Sequence, residues 1–176
     1  MAACASLAIL SAQPATAGTQ LGDGTFLYDD QTPFPESLMA LETCGAQPEA
    51  FATRRPFAGG FVFSVKCPGN NENFIEALFF ATDENATNAR LLHFLGPDGR
   101  RADFADAVSN VHWYPATNEI GEIAVDSDPD SRPTPNVCRS EGRWRLEGNP
   151  PNPALVFWRE TEDCDGKTGW KTIVGR

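Results

Sequence analysis

The sequence predicts an all-β protein, an antiparallel sandwich or incomplete barrel of about nine strands with one short helix. Three observations lead there. Pro, Gly, Asn and Asp punctuate the chain roughly every dozen residues, the spacing of turns between short antiparallel strands. The segments between these breaks are rich in Phe, Val, Ile and Leu, which pack well on a pleated surface. Several of them alternate apolar with polar residues, as half-buried strands do.

Taken in order, Gly24–Tyr28 reads as a first short strand. Pro35 to Glu42 is the one helical stretch, with Leu38, Leu41 and Met39 near one face. Strands follow at Phe57–Lys66, Phe74–Thr82 and Asn88–Leu95, separated by Pro68-Gly69-Asn70-Asn71 and Asp83-Glu84-Asn85. Gly96-Pro97-Asp98-Gly99 makes the next turn. The second half continues with Val108–Tyr114, Glu119–Val125, Cys138–Leu146, Pro153–Thr161 and Gly169–Val174. Trp144 and Leu146 face one way while Arg143, Arg145 and Glu147 face the other. Pro115-Ala116-Thr117-Asn118 and Gly148-Asn149-Pro150-Pro151 read as hairpin connections. Residues 126–136 are too rich in Pro to pack as a strand.

Composition excludes several classes. Of 176 residues 41% are hydrophobic, including 12 Phe and 4 Trp, enough to fill a core and to rule out a disordered chain. With 14 Lys+Arg against 24 Asp+Glu the net charge is −10, which repels phosphate backbones. No nucleic-acid partner is expected. No stretch reaches the roughly 20 apolar residues of a membrane-crossing helix, so no membrane span is expected.

Residues 1–17 stand apart. A small, apolar stretch from Ala2 to Leu10 leads to Ala15-Thr16-Ala17, the pattern of a secretory signal peptide and its cleavage site. No Lys or Arg precedes Arg54, so the usual basic start is missing, and a buried N-terminal helix is the competing reading. The expectation is cleavage after Ala17. Residues 18–176 then form a single exported β domain, periplasmic or secreted, with a division into halves 18–105 and 106–176 left open. Cys4 precedes the apolar stretch, whereas lipidated cysteines follow it, so no lipid anchor is expected.

Four cysteines lie beyond residue 17: Cys44, Cys67, Cys138 and Cys164. An even set in an exported chain reads as disulfides. A zinc site fits poorly, because there is no C-x-x-C and both histidines lie far from every cysteine. Neither a metal nor a cofactor is expected. Of the possible pairings, hairpin geometry selects one. A hairpin centred near residue 151 sets Cys138 directly opposite Cys164 and leaves Cys44 with Cys67.

Candidate chemistry is sparse. His93 and His112 are the only groups suited to acid–base work near neutral pH, and each sits in a strand-like run with no G-x-S-x-G, H-E-x-x-H or phosphate loop beside it. Asp126, Asp128 and Asp130 imitate the start of a calcium loop, but Ser131 and Val137 stand where it needs Gly and Glu. Asn85-Ala86-Thr87 matches a glycosylation sequon, which counts only in a eukaryotic host. All four Trp lie in the second half, and Trp113 and Tyr114, being adjacent in a strand, must face opposite ways. One of the two is expected at the surface, where an aromatic ring can grip a sugar or a protein. Arg143 and Arg145 share a face, with Arg159 on the following strand. They are read either as solvated partners of nearby Glu or as an anion-binding cluster.

The tail carries one further signal. Asn110-Val111 and Tyr114 to Ile120 are followed by Cys138-Arg139-Ser140-Glu141-Gly142-Arg143-Trp144, then Phe157-Trp158-Arg159-Glu160, Cys164-Asp165-Gly166 and Trp170. Residues 105–176 thereby resemble the C-terminal part of an uncharacterised Gram-negative exported family, the domain-of-unknown-function family numbered eleven seventy-six. The front half departs from that family. The resemblance implies a periplasmic β domain and supports pairing of the last two cysteines. It brings no activity and no functional residues.

The expected function is a non-enzymatic exported binding or envelope-associated protein, a monomer acting on an unknown protein or glycan ligand of the cell envelope. Its candidate binding residues are Trp113, Tyr114, Arg143, Arg145 and Arg159. A small disulfide-linked inhibitor of a hydrolase is the alternative, and a hydrolase built on His93 or His112 comes third.

Overall fold

The computed structural model describes residues 18–29, 32–39, 52–67, 73–99, 107–126, 128 and 136–175. The expected leader and its cleavage site, Cys44, the second half of the expected helix and most of the loop at 126–136 lie outside the described residues. The described chain forms two open antiparallel sheets. The first runs in the order β1 (Thr19–Gln20), β2 (Phe26–Leu27), β3 (Ala52–Phe57), β4 (Gly60–Lys66), β5 (Ile75–Ala81) and β6 (Arg90–Leu91). A seventh strand, β7 (Ala107–Ser109), shares the far edge of β5 with β6, pairing with Ile75–Ala77 while β6 pairs with Phe79 and Phe80. The second sheet is made of β8 (His112–Tyr114), β9 (Glu119–Val125), β10 (Arg139–Gly148), β11 (Pro151–Thr161) and β12 (Lys171–Val174), each beside the next.

Every residue of β5 is buried, which explains why all but Glu76 are apolar: both of its faces are covered. Ile75, Ala77, Phe79 and Ala81 join Phe63, Val65 and Leu38, the last from the single turn of helix α1 (Glu36–Met39). Leu78 and Phe80 point the other way, into a second core shared with Ile120, Trp144, Leu146 and Trp158 of the other sheet. The molecule is thus a sandwich with the first sheet in its middle layer. Trp144 is fully buried, edge-on to Trp158 at 5.9 Å and to Phe94 at 5.3 Å. Its indole N–H donates to the Leu95 carbonyl at 2.8 Å, so burying the ring leaves no donor unsatisfied.

The boundaries differ most from the expectation in three places, each for a local reason. Phe57–Lys66 is not one strand, because Ala58 (φ 51°) and Gly59 (φ 79°) turn the chain back. Two successive positive φ values give the tight turn that suits strand twist, and the preceding strand β3 pairs with β4 throughout. Val108–Tyr114 is likewise two strands in two sheets. Asn110, in the left-handed region at φ 46°, carries the chain from β7 across to β8. Strand pairing in 88–95 shrinks to Arg90–Leu91, with one bridge residue, Leu95, beyond. The splitting of Val108–Tyr114, the two-residue β1 and the six-residue β3, which the sequence reading did not anticipate, bring the count to twelve rather than nine among the described residues.

The β10–β11 hairpin turns through Asn149 and Pro150, with Gly148 opposite Pro151. A register shift at Arg143/Trp144 leaves Arg139 facing Thr161. Cys138 therefore continues toward residue 162, and Cys164 lies past the end of β11, not directly opposite as the expected register required. The disulfide Cys138–Cys164 nonetheless forms, with the Cα atoms 5.0 Å apart. A turn after β11 brings Cys164 back, held by Asp163, whose carboxylate accepts from the backbone N–H of Asp165, Lys167 and Thr168. Cys67 is buried and disulfide-bonded; its expected partner, Cys44, lies outside the described residues.

Candidate functional site

The inner face of the five-stranded sheet is committed to the core, so a binding site on that sheet lies on its outer face. Alternation decides which residues reach it. Gly142, Trp144 and Leu146 are buried, which turns Glu141, Arg143 and Arg145 outward. Register then aligns three outer rows across the strands. His112, Gly121, Arg143 and Phe157 form the central one. Tyr114, Glu119, Arg145 and Ala154 form the row on one side, and Ile123, Glu141, Arg159 and Thr172 the row on the other.

Gly121 leaves the centre bare. A Cβ added there would lie 2.9 Å from Tyr114 Cε2 and 3.4 Å from Arg143 Cγ. The gap is the floor of a shallow depression of about 60 Å³, rimmed by His112, Tyr114, Ile123, Glu141, Arg143 and Phe157. Clefts that enclose a whole small-molecule ligand run to about 300–1,000 Å³. This one admits a single functional group of a larger ligand.

Aromatic rings and guanidinium groups alternate along the same face. Arg143 Cζ lies 5.6 Å from the Tyr114 ring centre and 4.8 Å from that of Phe157. Arg159 Cζ follows, 5.9 Å from Phe157 and 4.2 Å from Trp170. Each ring attracts the cation over it, and each stacked guanidinium keeps its N–H edge free to bond in plane. Carboxylates neutralise part of this charge unevenly. Arg159 donates from Nε to Glu141 at 2.7 Å. Arg145 meets Glu119 at 2.7 Å and Glu147 at 3.9 Å. Among the described residues Arg143 reaches one carboxylate, the shared Glu119, at 3.6 Å, with its side chain 40% exposed.

Of the five candidate binding residues, Tyr114, Arg143, Arg145 and Arg159 therefore come to one face. Trp113 does not. It turns inward, 5.3 Å from Phe57, with Arg55 over its ring at 4.9 Å. Tyr114 is the member of the pair that reaches solvent, at 40% exposure. The face also recruits Phe157, Glu141, Gly121 and Trp170, which sequence reasoning did not single out as binding residues. Gly121 carried a usable signal, a glycine inside an otherwise regular strand, which marks a close approach or a gap.

Both histidines are exposed, and they do not meet: His93 lies beyond β6 of the first sheet, His112 in β8 of the second. The depression beside His112 holds Glu141 but neither a serine, a threonine nor a cysteine along its lining. Among the described residues no group of three or more His, Cys, Asp or Glu is placed to hold a metal.

Polar groups also lie between the sheets. Glu76, on the inner face of β5, is buried and accepts from the Ser64 hydroxyl. Burial pushes its carboxyl above the usual range, against the opposing pull of the Ser64 bond and the Arg55 charge. Glu122 is buried on β9 and accepts from the Ser109 backbone N–H at 3.2 Å. At one end of the sandwich, Asn73 donates to the Val125 carbonyl at 2.6 Å and accepts its N–H at 3.0 Å. Asn110 donates to Asn73 and to the Ile123 carbonyl, and accepts from Phe74 N–H. These amides fasten β5, the β7–β8 crossing and β9 together. No family model matches the chain, and neither does any curated protein or solved structure.

Proposed function

We propose that the protein is a non-enzymatic, exported binding or envelope-associated protein that uses the outer face of its five-stranded sheet to hold a protein or glycan ligand of the cell envelope, acting as a monomer. One observation supports this above the rest. Tyr114, Arg143, Phe157, Arg159 and Trp170 form a continuous, partly exposed ladder of rings and cations over a bare glycine floor. Exposed aromatic and arginine side chains held rigidly on a sheet are the residue types that dominate binding surfaces. Export accords with the disulfide Cys138–Cys164 and with the signal-like residues 1–17.

Co-sedimentation with purified peptidoglycan sacculi, alongside a glycan array, tests the reading. The wild type should bind, and the double variant Tyr114→Ala/Arg143→Ala should not, with both proteins showing the same circular dichroism spectrum. Equal binding by the folded double variant would remove this face from the function. The inhibitor reading has its own support in the exposed hairpin tip at Gly148-Asn149-Pro150, projecting from the two longest strands. Blockage of a purified cell-wall hydrolase by the free protein, relieved by changes at 149 and 150, would favour it instead.

A further inference from the structure

The ladder also constrains what its ligand carries, and this step rests on the binding role just proposed. Arg143 is the cation with capacity to spare. Glu119 is held at 2.7 Å by Arg145 and only at 3.6 Å by Arg143, while Glu141 is engaged by Arg159. The Arg143 guanidinium lies over both the Tyr114 and the Phe157 rings, and all three residues line the depression above Gly121. A planar fork of N–H donors, held over two rings, matches a planar two-oxygen anion.

The same contacts argue against a stacked neutral sugar. The rings that would lie flat on a pyranose are already covered by guanidinium groups: Tyr114 and Phe157 by Arg143, Trp170 by Arg159. They also argue against an acidic peptide. The chain carries −10, so a ligand with a charge at every second or third residue meets repulsion outside this one spot. What fits is an isolated carboxylate on an otherwise hydroxyl-rich body. The rim of the depression supplies both halves: Arg143, the His112 imidazole and the Tyr114 hydroxyl as donors, and Glu141 as an acceptor for hydroxyls.

We propose that the depression between Tyr114, Arg143 and Phe157 is a binding site for the carboxylate of an acidic sugar, a uronic acid or a similar carboxylated glycan unit.

Titration calorimetry at physiological ionic strength with a trisaccharide bearing a single uronate (glucuronosyl-xylobiose), its methyl ester and tri-glutamate tests it directly. The acidic trisaccharide should bind, the ester should not, and Arg143→Gln should weaken binding by about tenfold or more, the worth of a charge-assisted hydrogen bond. Arg143→Lys keeps the charge but loses the planar fork, and should recover only part of the affinity. Near-UV circular dichroism of each variant must match the wild type, since the core tryptophans report folding. Equal binding of ester and acid overturns the carboxylate, tighter binding of tri-glutamate overturns the sugar, and an unaffected Arg143→Gln overturns the site. A neutral glycan bound by the wild type and lost in Tyr114→Ala/Arg143→Ala would leave the binding role intact while sinking this inference.

Discussion

Two glycines of adjacent strands, one register position apart and facing opposite sides, divide the labour of the five-stranded sheet. Gly121 opens the outer face. Gly142 opens the inner one: a Cβ there would lie 2.5 Å from Trp144 Cη2, 2.8 Å from Trp144 Cζ3 and 2.8 Å from Trp158 Cε3. Both rings belong to the packed core and neither can swing into solvent. Gly142→Ala should therefore destabilise the fold by about 1–3 kcal/mol, the usual cost of overpacking. Gly121→Ala meets the edge of the exposed Tyr114 ring, which has room to move. It should change stability by less than about 1 kcal/mol while filling the depression and weakening ligand binding. Urea unfolding of both variants checks the contrast, and an equally large loss in Gly121→Ala would show that the outer face is also packed.

At the scale of elements, Asn110 links the β7–β8 crossing to both sheets. It supplies a left-handed residue at φ 46° and three side-chain hydrogen bonds, to Phe74, Asn73 and Ile123. Asn110→Ala removes both contributions and should cost about 2–4 kcal/mol; Asn110→Gly, which restores the backbone freedom alone, should regain about 1 kcal/mol. Thermal unfolding of the two variants separates these parts. Much of this fold was legible in the sequence. Glu119–Val125 was read with its observed bounds, and the outward Arg143 and Arg145 followed from strict alternation with Trp144 and Leu146. The crossing at Asn110 was not legible, because an apolar run on both sides of it looks like one strand until its two halves find different partners. The Ala58-Gly59 turn was missed for a similar reason, since alanine gives no warning of a positive φ. Of the site, the cationic members could be read from one strand's pattern, whereas Phe157 and Trp170 join only through cross-strand register.

For the whole molecule, the two sheets enclose a carboxyl that resists ionisation, and this sets the direction of its pH response. Burial raises Glu76 above its ordinary value of 4.5, with the Ser64 hydroxyl and the Arg55 charge acting against it. A carboxyl whose folded value is raised contributes stability below pH 4.5, and that contribution is lost as pH rises through the folded value. Asp163 behaves oppositely. Backbone and side-chain donation from Thr168, joined by the N–H groups of Asp165 and Lys167, holds it below 3.8. The stability it gives is present above 3.8 and lost as pH falls through its folded value, loosening the turn that presents Cys164. Glu76→Gln keeps an acceptor for Ser64 and can never charge. It should raise the melting temperature at pH 7–8, by about 2–4 °C for each kcal/mol relieved, and leave it unchanged near pH 4, where wild-type Glu76 is already neutral. Calorimetric melts of both proteins across that range decide the matter. A variant that gains nothing at pH 8 would mean that Glu76 ionises at no cost between the sheets, with Arg55 compensating its charge in full.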